Sequence, residues 1–317
     1  MSLLSIKNLK VYYYTLSGIV RAVDGVSMVV SKGEWFSVVG ESGSGKSTLA
    51  YSIINLVPPP GRIVEGEIVF NEVNLAKAPH SVIRRVRGRE IGFVFQDPMT
   101  SLDPLRTVGS QIKEVIEEHG GASGREVEVI AKEAFSEVGL SEEKFYSYPH
   151  QLSGGQRQRV AIAIATVLKP KLLIADEPTT ALDVIVQRSI MEIFWRLKSR
   201  GMSIVLVTHD LALASEWSDR IAVMYAGELV EIGPTRDIIE APLHPYTQLL
   251  VKSTPDIQGD KALNYIPGEP PDLKNPPSGC RFHPRCPYAT EICRREAPKP
   301  TIVRGRIVSC HLLSPTR

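Results

Sequence analysis

Three short stretches of this chain gather residues suited to handling phosphate. The first is Gly40-Glu41-Ser42-Gly43-Ser44-Gly45-Lys46-Ser47-Thr48, which fits the pattern G-x-x-x-x-G-K-[ST]. Gly40, Gly43 and Gly45 let successive backbone N–H groups turn inward around an anion, and the N-terminus of a following helix adds positive potential. Lys46 would reach the β- and γ-phosphates and the Ser47 hydroxyl would ligate Mg²⁺, with Ser42, Ser44 and Thr48 completing the loop. The second stretch is Leu172-Leu173-Ile174-Ala175-Asp176-Glu177, an apolar strand ending in two acids. Asp176 would hold Mg²⁺ directly or through water, and Glu177 would polarise an attacking water as general base. Read alone, such an acid pair also serves as a helix cap. The third is Leu152-Ser153-Gly154-Gly155-Gln156, followed by a helical pattern, which makes a second helix N-terminus suited to an anion. Two such loops in one chain suggest a dimer in which each chain's second loop caps the other chain's nucleotide; a plain capped helix is the alternative reading.

The flanks fit this chemistry. Trp35-Phe36-Ser37-Val38-Val39 reads as a buried strand leading into the first loop, and residues 48–54 can open a helix after it. Short strands are expected at 4–9, 20–23, 26–30, 63–70 and 91–95. Helical spacing covers 110–119 and 126–138, the latter with Val127, Ile130, Ala134, Phe135 and Val138 on one face. An apolar helix at 156–168 follows. Strand and helix then alternate: 172–175, 184–198, 204–207, 211–218 and 221–225. That alternation predicts an α/β fold with a mostly parallel, two-sided core.

With 317 residues, 43% hydrophobic and 23% charged, the chain suits one large globular domain and a smaller one. Its net charge of +2 gives no electrostatic argument for a nucleic-acid partner. No apolar run approaches the ~20 residues of a membrane span, and the first residues lack a signal-peptide pattern, so a cytoplasmic location is expected. Residues 255–317 hold 11 of the 23 prolines, and periodicity fades there. A linker helix at 234–253 and a small irregular C-terminal domain are therefore expected.

Taken together, the motifs resemble the nucleotide-binding subunit of an ABC transporter. The resemblance is carried by residues 40–48 (Walker A), Gln96 in Val94-Phe95-Gln96-Asp97-Pro98 (Q-loop), 152–156 (signature), 172–177 (Walker B), Ala181-Leu182-Asp183 (D-loop) and His209 in Thr208-His209-Asp210 (switch). It implies a P-loop NTPase of ABC type over 1–235, with an antiparallel β subdomain and a helical subdomain at about 98–168. It also implies ATP hydrolysis with ATP sandwiched between two nucleotide-binding subunits. Ser153, Gly154, Gly155, Gln156 and Asp183 would contact the nucleotide, His209 would bond the γ-phosphate, and Gln96 would sense Mg²⁺. The adenine would stack on an aromatic near the N-terminus, which spacing places at Tyr13, with Tyr12 or Tyr14 as substitutes; stacking contributes roughly 1–3 kcal/mol. The segment 97–106 would receive the coupling helix of a membrane subunit. The implied partners are two permease subunits, a sister ATPase or second copy of this chain, and indirectly an extracytoplasmic binding protein, with no nucleic acid. The place would be the cytoplasmic face of the membrane, held peripherally.

The remainder, 236–317, resembles the extension of the oligopeptide/dipeptide permease branch through His244-Pro245-Tyr246-Thr247, Ile266-Pro267-Gly268-Glu269-Pro270-Pro271 and Gly279-Cys280-Arg281-Phe282-His283-Pro284-Arg285-Cys286. The implied cargo is peptide. Oligosaccharide or nickel is the alternative within the same machinery, and a soluble non-transport ABC ATPase is the alternative outside it. All four cysteines, Cys280, Cys286, Cys293 and Cys310, sit in this extension at C-x5-C-x6-C-x16-C. That spacing is looser than the knuckles of structural zinc sites and suits a [4Fe–4S] cluster, which the branch also implies, with zinc as the alternative. Its expected role is to pin a domain poor in core of its own.

Overall fold

The structure is a computed structural model that describes residues 2–119, 122–254 and 265–313. Residues 255–264 and 314–317 of the expected extension, and 120–121 of the expected helical subdomain, lie outside the described residues. The chain divides into two compact units, one drawn from 1–30, 35–77 and 207–317, the other from 31–34 and 78–206.

The first unit holds an antiparallel sheet in the order Gly18–Ser31, Ser2–Thr15, Gly61–Phe70, Val73–Asn74. The strand expected at 4–9 runs on to Thr15, so Tyr12, Tyr13 and Tyr14 lie inside it. A bulge allows this. Asn8 turns to φ 45° and Gly66 to φ 103°, and a Cβ on Gly66 would sit 2.6 Å from the Asn8 carbonyl oxygen. Past that kink the pairing resumes, from Val11 opposite Ile63 to Tyr13 opposite Gly61.

A second set of strands in this unit follows the order Thr301–Val303, Arg306–Val308, Glu228–Pro234, Arg220–Tyr225, Trp35–Val39. Trp35–Val39 pairs parallel with Arg220–Tyr225, as the α/β alternation requires. Every residue of Trp35–Val39 is buried, the pattern of a strand covered on both faces. The other three pairings are antiparallel. The C-terminal extension therefore extends a sheet, with Glu231 opposite Val308.

The linker helix expected at 234–253 is two helices, Thr235–Glu240 and Pro245–Ser253. Pro242 and Pro245 lack the N–H that a continuous helix needs. Between them, the N–H groups of Leu243 and His244 instead donate to the Glu231 carboxylate at 3.1 and 2.9 Å. That carboxylate is fully buried and paired with Arg306 at 3.2 Å. The extension also has more core than its prolines suggested. Phe282 is 1% exposed and packs edge-on to Tyr225, with ring centroids 5.1 Å apart, and against Tyr246 at 5.4 Å. These rings join Val39, Ile221, Val223 and Ile238 in one cluster, with Cys280 and Cys286 packed on its edge. Prolines prevent regular structure, but three aromatic side chains supply the burial.

The second unit sets Leu172–Asp176 parallel to Ile91–Val94, with Val94 opposite Ala175. Helices Val108–His119, Arg125–Glu137, Gly154–Thr166 and Val184–Ser199 belong to it. The Arg125–Glu137 helix buries Val127, Ala134 and Phe135 of the expected face, with Val138 buried at its C-cap, while Ala131 takes the buried place expected of Ile130, which is half-buried.

Candidate nucleotide site

The first loop leaves the buried strand Trp35–Val39 and enters the helix Lys46–Ile53. A Cβ on Gly45 would lie 1.9 Å from the Ala22 carbonyl oxygen and one on Gly40 2.1 Å from that of Met224. No side chain fits at either place. Gly45 also has φ 103° and is the N-cap of the helix with no side-chain cap. Lys46 is 4% exposed; its ammonium donates to the carbonyl oxygens of Gly40 and Glu41 at 2.8 and 2.9 Å and lies 3.5 Å from Ser44 Oγ. The loop thus wraps its own lysine, and Gly227 N–H anchors it by donating to the Ser44 carbonyl at 2.8 Å.

Of the three tyrosines, Tyr13 reaches this loop, its hydroxyl 3.2 Å from Thr48 Oγ1. Tyr12 points to the other face and donates to Asp24 at 2.7 Å. Tyr14 is exposed, with the Arg62 guanidinium 5.9 Å from its ring centre. His209 is exposed just after Ser203–Thr208. Its neighbour Asp210 caps Leu211–Trp217 by accepting from Leu213 N–H at 2.9 Å.

In the second unit, Asp176 ends its strand with no exposed surface. Glu177 follows in a left-handed conformation, φ 45°, which a non-glycine residue holds only where its surroundings compel it. One carboxylate oxygen, Oε2, accepts from Gln96 Nε2 at 3.0 Å and from Thr180 Oγ1 at 3.1 Å. Register brings the two strand ends together: Val94 stands opposite Ala175, and Gln96 and Glu177 each follow two residues on, just past the paired strands. Thr180 was missed in the sequence; its signal was its place three residues after the acid, where a short turn brings side chains together.

Ser153 caps Gly154–Thr166 in a reciprocal box with Gln156: Ser153 Oγ accepts from Gln156 N–H at 3.3 Å, and Gln156 Oε1 accepts from Ser153 N–H at 3.0 Å. Asp183 likewise caps Val184–Ser199 through Val186 N–H at 2.9 Å. Gly155 is needed between these helices, since a Cβ there would meet Val186 Cγ1 at 2.6 Å.

None of the four cysteines forms a disulfide; Cys280 and Cys286 are half-buried, and Cys293 and Cys310 are buried. Cys280 N–H donates to the Cys293 carbonyl at 2.8 Å. Burial pushes the Cys280 thiol up to about 12, and the charges of Cys293 and Cys310 push the same way. Burial also raises Cys286 and Cys310. Backbone N–H groups of Phe282, Tyr288 and Leu312 bond the sulfurs of Cys280, Cys286 and Cys310 and oppose that rise. Among the described residues, however, no group of three or more His, Cys, Asp or Glu side chains is arranged to hold a metal ion. The expected iron–sulfur or zinc centre on Cys280, Cys286, Cys293 and Cys310 is therefore not supported by this arrangement. Burial at Cys280, Cys286 and Cys310 acts in the same direction, favouring the neutral thiol over the thiolate that ligation needs.

Comparison with known proteins places these features. Residues 23–180 match the ABC transporter family, and residues 230–293 match the C-terminal region of oligopeptide/dipeptide transporters. The dipeptide transport ATP-binding protein DppD of Haemophilus influenzae is 44% identical over 315 residues, covering 98% of this chain and 96% of that protein. The oligopeptide transport ATP-binding protein AppD of Bacillus subtilis is 45% identical over 317 residues, covering 98% and 97%. Among solved structures, the ATP-binding cassette MJ0796, a dimer in a post-hydrolysis state bound to ADP and phosphate, superposes with a TM-score of 0.67 at 34% identity, over 74% of this chain and 99% of that one. Among the described residues, no helix is long and apolar enough to cross a membrane. The chain belongs to the ABC transporter family, as an ATPase of its ATP-binding kind that carries the oligopeptide/dipeptide transporter C-terminal region.

Proposed function

We propose that this chain hydrolyses ATP to power peptide import, as a peripheral subunit on the cytoplasmic side of two membrane permeases. A second nucleotide-binding subunit, a sister ATPase or another copy, closes over the nucleotide, and an extracytoplasmic binding protein delivers the cargo. The nucleotide-binding domain is read as 1–235, with its helical part at about 98–168, and the extension as 236–317. The observation that carries the reading is Glu177 held between Gln96 and Thr180, in a chain matching peptide-transport ATP-binding proteins over nearly its whole length.

The roles follow from the chemistry of each group. The backbone of Gly40, Ser42, Gly43, Ser44 and Gly45 presents N–H donors to the phosphates, and Lys46 leaves its carbonyl partners for phosphate oxygens. Tyr13 stacks on the base, and Thr48 supports its hydroxyl. Ser47 hydroxyl and the carboxylate of Asp176 are the hard oxygen donors that magnesium takes, with Gln96 next to them in role. Magnesium, when bound, offsets the charge of the phosphates. Glu177 draws the proton from the attacking water, Gln96 and Thr180 fix the carboxylate that does so, and His209 bonds the γ-phosphate. From the second subunit, Ser153, Gly154, Gly155, Gln156 and Asp183 approach that same phosphate.

Glu177→Gln tests the reading. Loss of a general base costs on the order of 10²–10⁴ in rate, so ATP turnover should fall at least ~100-fold while MgATP binding persists and a closed dimer accumulates. Undiminished turnover would sink the assignment of the base. The [4Fe–4S] reading of the extension rests on the C-x5-C-x6-C-x16-C spacing and on the N–H groups of Phe282, Tyr288 and Leu312 at three of the sulfurs. It predicts about four irons per chain, with matching sulfide, on anaerobic purification. Zinc in their place would favour the alternative, and metal-free protein would leave the thiols a packing role.

A further inference from the structure

Glu41, the second residue of the phosphate loop, is held at three points. Its carbonyl accepts from Lys46 at 2.9 Å, its N–H donates to Tyr246 Oη at 3.0 Å, and its carboxylate receives both terminal nitrogens of Arg285, at 2.7 and 3.0 Å. Arg285 is 7% exposed and spends its donors completely. Nε donates to the Pro267 carbonyl at 2.8 Å, Nη1 also to Tyr225 Oη at 3.3 Å, and Nη2 also to the Ile266 carbonyl at 3.4 Å. A guanidinium has five N–H donors in a rigid fork. Here they tie one loop residue to three others of the chain, Tyr225, Ile266 and Pro267, so the fork fixes where Glu41 stands.

A second arginine of the same segment acts on the loop from the other side. Arg281 donates to the Ala226 carbonyl and pairs with Asp24 and with Glu228, the latter at 3.0 Å. The next residue, Gly227, donates its N–H to the Ser44 carbonyl at 2.8 Å, and its own carbonyl accepts from Asp24 N–H at 2.9 Å. Both arginines lie between Cys280 and Cys286, more than two hundred residues from the loop in sequence. Each ends on a backbone or carboxylate group that shapes the phosphate loop. The Glu41 contact has a further electrostatic consequence. A lone carboxylate in that loop would repel a triphosphate, and the bidentate guanidinium cancels its charge while holding it aside.

We propose that segment 280–286 is a positioning element of the nucleotide site: Arg285, through Glu41, and Arg281, through the turn at Ala226-Gly227, set the phosphate loop in the geometry that binds a triphosphate. The proposal rests on the nucleotide-site reading above and goes beyond it by giving the C-terminal extension a part in ATP binding. Small misplacements of a binding group cost large factors in a pre-organised site.

The test is the affinity of the full-length chain for MgATP, by titration calorimetry, in a cycle of Arg285→Ala, Glu41→Ala and the double variant. Arg285→Ala should weaken MgATP binding about tenfold in the natural chain and no more than about twofold where Glu41 is already alanine, the signature of two residues acting as one. An unchanged Kd for Arg285→Ala, even with a lowered melting temperature, overturns the proposal. So does an equal weakening in both backgrounds. If Arg285→Ala does not fold, Arg285→Lys keeps the charge and loses the two-oxygen grip, and should weaken binding about threefold; an unchanged Kd there is equally fatal. Failure of the natural chain to bind MgATP at all would overturn the nucleotide-site reading itself, a result seen before any variant is made.

Discussion

The phosphate loop at 40–48 and the arginine-bearing segment at 280–286 are both short turns in the same unit, and they are fixed by different means. The loop's shape depends first on its own glycines and lysine. Gly45 and Gly40 sit where a Cβ would lie 1.9 and 2.1 Å from a carbonyl oxygen, and Lys46 bonds the loop's own backbone. The segment is shaped from without. Phe282 is gripped by Tyr225 and Tyr246, Arg281 by Ala226 and Asp24, and Arg285 by Glu41 and Pro267. A local rule of backbone geometry governs the first, whereas buried charge and ring packing govern the second. The difference predicts different sensitivities, and each is open to measurement.

The larger effect belongs to the loop. Gly45→Ala meets both a left-handed φ of 103° and a contact of 1.9 Å with rigid backbone. It should lower stability by about 3 kcal/mol and remove MgATP binding. Gly43→Ala is the matched control, because φ is 77° but nothing lies within 4 Å of the added carbon. Its cost should stay near ~1 kcal/mol, from the dihedral alone. Chemical denaturation of the two variants separates the contributions. Equal losses would mean that packing against Ala22 plays no part in shaping the loop.

The same contrast explains what could be read before the fold was known. The loop was legible because its requirements are short-range: a glycine where φ is positive, a lysine, a hydroxyl, a buried strand before and a helix after. Gln96 and Glu177 were each legible as members of the motif set but not as partners, and the register of Val94 with Ala175 supplies the reason they meet. The choice of Tyr13 over Tyr12 and Tyr14 was legible from the resemblance and its spacing, although neither its reach to Thr48 nor the bulge at Asn8 that carries the strand past it gave a clear sign. The extension was read less well. Its prolines announced irregular structure but said nothing of the strand Arg306–Val308, which pairs with the strand carrying Glu231 far earlier in the chain. Arg285 stands in a motif of the extension, and no spacing rule connects it with Glu41. The cysteines showed a ligand-like pattern, yet spacing alone does not report how burial holds a thiol neutral. Long-range charge pairs and burial are what sequence periodicity does not encode.

The smaller effect belongs to the extension, and its handle is pH. His244 is 1% exposed beside Phe282, with ring centroids 5.9 Å apart. Its Nδ1 accepts from Tyr246 N–H at 3.0 Å, so it caps Pro245–Ser253 as the neutral imidazole. Burial lowers it from 6.5 to about 3, with a hydrogen bond to the Ser309 backbone pulling the other way. Above pH 6.5 the ring is neutral in both the folded and unfolded chain, and the cap contributes fully. As pH falls from 6.5 toward 3 the unfolded chain takes up a proton that the folded chain refuses, so stability is lost. At 1.4 kcal/mol per unit, the loss between pH 6.5 and pH 5 is about 2 kcal/mol. Other groups titrate in this range, so the measurement is a difference. His244→Asn keeps a capping oxygen and removes the titration, and its denaturation midpoint should fall less steeply on acidification than that of the natural chain. Parallel pH profiles would show that the cap is not held by a buried neutral ring. A divergence opening below pH 6.5 would assign the acid sensitivity to the buried ring, and the Gly45 and Gly43 variants, which keep His244, should then show the same acid slope as the natural chain.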